Sequence, residues 1–368
     1  MTGETAWIEA PAAEEPADQL SFGDDPEPLP GAAQAELTPL PAPSLPDMPA
    51  RPGTVITAII DDGLPIAHIR FRSGLCDSRV AYAWVQDAPA RSHSHVEYGR
   101  EFTKADIDAL LADCVVAGQV DEDDFYRRAR ITGFGVAPGR TALSRGATHG
   151  ANVMDQAAGY APGELDPPDA NPLIAVQLPR ATVADTSGMQ FEKYAGAALD
   201  YIFDRADRVA EAMGCGPLPL VVNFSFGFIA GPHDGTHPLE QKMEEMLATR
   251  QAKAPTEITL PAGNSRQARC HAKIHGSADH QSMTPGAVTW RVLPDDRTPS
   301  FSVFYMPESA GVPTASRVMM RLVSPTGLAT PWLGEEDRKG WELRAGGKRL
   351  AKISYFYIGG ATGRGRFA

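Results

Sequence analysis

The sequence predicts an α/β protein: a doubly wound parallel sheet, followed by an antiparallel, sandwich-like β segment. Three observations carry this. Short apolar runs that suit strands buried on both faces recur at Val55–Ile60, Leu173–Leu178 and Leu220–Phe224. Helical patterns separate them, the strongest over Phe191 to Met213, where Phe191, Tyr194, Ala195, Ala198, Leu199, Ile202, Phe203, Ala206 and Val209 repeat at three- and four-residue steps. From about Gly276 the texture changes to alternating runs divided by Pro, Gly and Asp. Strands alternating with helices imply parallel pairing and right-handed crossovers.

Composition narrows the rest. The 368 residues suffice for one large domain and something smaller. Residues 1–53 hold 11 of the 32 prolines, ten acids and a single Arg, with few large apolar residues. Such a segment cannot bury enough surface to offset its ordering entropy, so it is expected to be disordered. It also accounts for most of the net charge of -12, leaving the body near -3. With no basic patch, nucleic acid is not an expected partner. No run of 18 apolar residues predicts a membrane span, and no basic, apolar leader opens the chain, so a cytoplasmic setting is expected. The four cysteines, Cys76, Cys114, Cys215 and Cys270, are scattered and suit reduced thiols.

Taken in order, the first strand stops abruptly at Asp61-Asp62-Gly63. A carboxylate at the carboxyl end of a buried parallel strand sits where open α/β sheets bind ligands. Arg79–Val85 reads as a strand. Residues 86–145 read as a helical and loop insertion, with helices over Thr103–Leu111 and Asp121–Arg130 and an exposed loop carrying His93 and His95. His149 opens the next helix between Gly146 and Gly150, and Val153, Met154, Ala157 and Ala158 form its apolar face. A helix begun by Pro238 runs to Gln251. The strand Glu257–Leu260 ends at Pro261-Ala262-Gly263-Asn264. Further strands are expected around Val288–Val292, Ser300–Tyr305, Arg317–Leu322 and Ile353–Tyr357. Cys270, His271, His275 and His280 have the types but not the spacing of a zinc site, so neither a metal nor a cofactor is expected.

Asp61-Asp62-Gly63, His149-Gly150-Ala151-Asn152, Asn223-Phe224-Ser225-Phe226-Gly227 and Pro261-Ala262-Gly263-Asn264 together resemble the subtilisin-like serine peptidases, the subtilases, in motif order and in strand and helix context. The resemblance covers roughly residues 54–270. It implies a subtilisin-type peptidase domain over 54–275 and a serine endopeptidase acting on peptide or protein substrates. Asp61 would orient His149, His149 would be general base and then acid, and Asn264 would donate its amide to the oxyanion. Ser225, Phe226 and Gly227 would offer an edge for a substrate strand. Two departures stand out. Asp62 replaces the family's small hydroxyl residue, and Asn152 replaces its second, non-catalytic His. A third is larger: no Gly-Thr-Ser-x-Ala-x-Pro segment carries a nucleophile, and Ser282-Met283-Thr284-Pro285 is only a partial echo. The expectation is therefore that residues 276–368 are an incomplete, inserted sandwich-like segment and that the serine lies beyond Ala368. The alternative is a peptide-binding protein that keeps the fold without catalysis.

Overall fold

The structure, a computed structural model, describes residues 19–20, 52–90, 95–132, 143, 148–161, 164, 171–180, 182, 191–227, 231–273, 287–293, 300, 302–305, 319–334, 340–358 and 364–367. The expectation of disorder over 1–53 falls largely outside them, as do His93, His275, His280 and Ser282. The chain divides into two units, one over residues 29–278 and one over 279–368 together with 1–28.

The first unit is built on one six-stranded sheet. Its strands are β1 (Ile56–Asp61), β2 (Val80–Val85), β3 (Arg100–Thr103), β4 (Leu173–Gln177), β5 (Leu220–Phe224) and β6 (Thr256–Thr259). They lie in the order β6-β5-β1-β4-β2-β3, all parallel except β3, which pairs antiparallel with β2 at one edge. The helices are α1 (Lys104–Asp113), α2 (Glu122–Arg128), α3 (His149–Ala158), α4 (Phe191–Ala212) and α5 (Pro238–Gln251).

Alternation along β1 shows why both faces are covered. Ile56, Ala58 and Ile60 enter a core with Ile174, Val176, Val222 and the apolar faces of α4 and α5. Ile59 points the other way, into a core with Val80, Ala83, Ala175 and residues of α1, α2 and α3. With helices on both faces, every central strand is buried, which is why the strands read as continuous apolar runs. The 86–145 span holds its two expected helices. It also contributes edge strand β3 and a short hairpin, Val115–Val116 with Gln119–Val120.

The topology creates a crevice. The chain leaving β1 moves towards β2 on one side, whereas the chain leaving β5 moves to β6 on the other. Connections that part in this way open a cleft between neighbouring carboxyl ends, where α/β folds hold ligands. Phe224 pairs with Ile60, so Ser225 follows on the level of Asp61.

The second unit is antiparallel throughout its described strands. A hairpin joins β8 (Gly340–Ala345) to β9 (Lys348–Ile353), and residues Gln19–Leu20 add a third strand beside β8. A second sheet has β7 (Phe304–Tyr305), β10 (Tyr355–Ile358) and β11 (Arg364–Phe367) in the order β7-β11-β10. Leu333 and Ile353 form a small core with Phe304, Met320, Leu322, Trp341 and Tyr355. The expected strand at Val288–Val292 is not a strand in the structure, and Val288, Trp290 and Val292 are exposed. Arg317–Leu322 is reduced, among its described residues, to a bridge from Met320 to Leu333.

Candidate active site

Asp61 is the last residue of β1 and is 5 % exposed. Its Oδ1 accepts the backbone N–H of Asp62 at 2.8 Å and faces Nδ1 of His149 at 2.8 Å. An ionised carboxylate can only accept, so the hydrogen belongs on Nδ1, and Nε2 is left as the free basic nitrogen. The His149 side chain is 62 % exposed while its partner is buried. The imidazole therefore meets the carboxylate with one edge and solvent with the other.

Residues around the pair show why the chain folds this way. His149 is the first residue of α3, and Thr148 is its N-cap, with Oγ1 accepting the N–H of Ala151 at 3.0 Å and donating to the carbonyl of Gly63 at 2.7 Å. Asn152 Nδ2 donates to the Thr148 carbonyl at 2.9 Å. Gly150 must be glycine: a Cβ there would lie 1.8 Å from the carbonyl oxygen of Asp62. The helix thus starts in direct contact with the turn that follows β1. That closeness delivers His149 to Asp61 across 88 residues of sequence.

The electrostatics follow from burial and pairing. Burial pushes the Asp61 carboxyl up to about 6, against the lowering effects of the His149 hydrogen bond and the Asp62 N–H. Among the described residues its buried Oδ2 has no hydrogen-bond partner, so the ionised form is incompletely solvated. His149 is raised above its ordinary value, first by the hydrogen bond to Asp61 and further by the charges of Asp61 and Asp62, with burial opposing. A base of this kind takes up a proton readily and holds it as an imidazolium beside a carboxylate.

The other expected residues occupy the same edge of the sheet. Ser225 and Phe226 are half-buried and Gly227 is exposed. Ser225 Oγ donates to Asn223 Oδ1 at 2.8 Å, and the Phe226 ring stacks on Phe191 with centroids 4.1 Å apart. The Phe226 side chain is thereby committed to the core, which leaves the backbone of this segment to the cleft. A Cβ on Gly227 would lie 3.1 Å from Gly263 Cα, so the Pro261–Asn264 turn lies beside the 225–227 segment. Asn264 is exposed, and among the described residues no hydrogen bond joins it to Asp61 or His149.

Asp61, Asp62 and His149 also bring donor atoms within 4.8 Å of one another, a spacing a cation could use. The direct 2.8 Å contact between Asp61 Oδ1 and His149 Nδ1 is the geometry of a hydrogen-bonded carboxylate–imidazole pair. Cys270 and His271 are exposed and belong to no such cluster among the described residues.

Two site-edge residues were not expected from the sequence. Gln177, the last residue of β4 and 2 % exposed, accepts the N–H of Leu64 at 3.0 Å through Oε1. Its Nε2 lies 3.5 Å from Asp87, which also meets the Arg180 N–H at 3.5 Å. Gln177 thus ties the turn after Asp61 to the end of β2. The available signal was a polar residue inside the apolar run Leu173–Leu178.

No family model matches the chain, and no curated protein matches it. Among solved structures, the chain is similar to that of the Clostridium perfringens CspB protease, at 17 % identity and a TM-score of 0.47, over 85 % of this chain and 54 % of that one. The chain therefore spans about half the length of that structure. A likeness of this size carries no functional weight.

Proposed function

We propose that residues 54–275 form the base-carrying part of a serine endopeptidase of the subtilase type. The observation that carries this reading is the Asp61–His149 contact at 2.8 Å, placed at the carboxyl end of a buried parallel strand beside the topological crevice. A serine hydroxyl is a weak nucleophile until a base removes its proton. His149 Nε2 faces outward to take that proton, and Asp61 fixes the tautomer and stabilises the imidazolium. His149 then returns the proton to the leaving amine. Asn264, at the neighbouring turn, donates its side-chain amide to the tetrahedral oxyanion, a contact typically worth about 100- to 1000-fold in turnover. A peptide lies along Ser225–Gly227 as an added strand. The nucleophile of this reading is a serine hydroxyl brought to His149 Nε2, and no segment of the Gly-Thr-Ser type occurs within these 368 residues.

The test uses the product of the full gene. A fluorophosphonate probe is expected to label one serine, and His149→Ala is expected to abolish labelling and peptide cleavage in folded protein. Labelling or cleavage that survives His149→Ala overturns the proposal. Peptide binding without turnover, indifferent to His149→Ala, also overturns it and identifies a non-catalytic peptide-binding protein.

A further inference from the structure

Asp62 stands where the resembling family carries a small hydroxyl residue, and its side chain has a definite task in this fold. Its Oδ1 accepts the N–H of Gly150 at 3.2 Å. That N–H belongs to the first turn of α3, where no intrahelical carbonyl is available to it. Thr148 satisfies the N–H of Ala151, so the two caps divide the exposed donors between them. Helix α3 has no acidic residue in its own first turn. The negative charge that a helix N-terminus favours therefore comes from outside the helix, from the turn after β1. A carboxylate oxygen of Asp62 also lies within 4.8 Å of a His149 ring nitrogen.

We propose that Asp62 is a positioning residue for His149: its carboxylate clamps the first turn of α3 against the end of β1, and its charge favours the imidazolium. The proposal rests on the reading of His149 as a base. A neutral hydroxyl could supply the hydrogen bond but not the charge. The chain thus places two carboxylates on its imidazole, one buried and bonded to Nδ1, the other half-buried and bonded to the backbone one residue further on. Among the described residues, Asp61 from β1 and Asp62 from the following turn are the charged groups acting on His149. Both raise its proton affinity, so deleting either charge lowers it.

The division of labour separates two variants. Asp62→Asn keeps an oxygen acceptor for the Gly150 N–H and removes the charge. Asp62→Ala removes both. In the full chain, the His149 imidazole is titrated by NMR, and hydrogen exchange of the Gly150 amide is followed in parallel. In Asp62→Asn the His149 pKa is expected to fall by about half to one pH unit at low salt, less at high salt, with Gly150 protection retained. In Asp62→Ala the same fall is expected together with faster exchange at Gly150. An unchanged His149 titration in Asp62→Asn overturns the proposal, as does unchanged Gly150 exchange in Asp62→Ala. If Asp62→Ala does not fold, the Asp62→Asn titration alone decides it. None of these readouts needs a nucleophile, so failed cleavage or labelling by the full gene product bears on the proposed function and leaves this test intact.

Discussion

Two carboxyls at the same end of the sheet differ in their surroundings: Asp61 is buried and Asp87 half-buried. Asp61 ends β1, and Asp87 follows β2 two places along the sheet. Burial raises both to about 6. Their partners differ: Asp61 has the imidazole of His149, whereas Asp87 has the amide of Gln177 and the N–H of Arg180. Desolvation alone therefore does not mark a reactive site. What distinguishes Asp61 is a titratable partner whose far edge is open to solvent at the crevice between β1 and β5. Asp87 is held by groups that cannot carry a proton onward.

Removing the close approach of α3 to the turn after Asp61 has the largest expected effect. Gly150→Ala would force a Cβ into the Asp62 carbonyl, so a loss of about 3 kcal/mol or more is expected, read as a fall in the denaturation midpoint. Asp87 lies away from that contact and should keep its raised pKa in any Gly150→Ala protein that still folds.

Neutralising the two carboxyls comes next. A carboxyl that titrates near 6 when folded and near 3.8 when unfolded binds its proton more tightly in the native state. Stability then falls as pH rises from about 4 to about 6, and the full penalty persists above that. Asp61→Asn and Asp87→Asn are each expected to stabilise the fold at pH 7 by about 1–3 kcal/mol, with the gain vanishing towards pH 4. Thermal melts at the two pH values check this. Only Asp61→Asn should cost function.

Gln177→Leu probes the tie between the two regions. It leaves the buried Leu64 N–H without its acceptor and should destabilise by about 1–3 kcal/mol, measured in urea. The smallest expected effect is on the pH profile. A base whose proton affinity is raised above 6.5 gives peptide cleavage by the full gene product an acidic limb centred above pH 6.5.

The sequence made this site legible to the extent that the residues carry their own pattern. Val55–Ile60 is apolar because β1 is buried on both faces, and the abrupt Asp61 marks its carboxyl end. His149 was marked by Gly150, and the contact with Asp62 explains why glycine is needed there. The Asp87–Gln177 tie was not legible, since it joins residues 90 apart that share no motif. In the second unit, Lys348–Ile353 did not read as a strand because Lys348, Arg349, Leu350 and Lys352 are exposed and only Ile353 is buried. Val288–Val292 had strand alternation without a strand, since alternation alone supplies no pairing partner. Edge strand β3, Arg100-Glu101-Phe102-Thr103, was hidden because two of its buried residues are charged: Glu101 pairs with Arg205, and Arg100 donates to the Ala129 carbonyl.

The proposed function requires that Asp61 and His149 work as one acid–base pair. Its most direct test is the NMR titration of His149 in the parent chain and in Asp61→Asn. The parent imidazole should titrate above 6.5, and Asp61→Asn should lower it by more than Asp87→Asn does. An imidazole that titrates at its ordinary value and ignores Asp61→Asn would contradict the pairing and the function built on it.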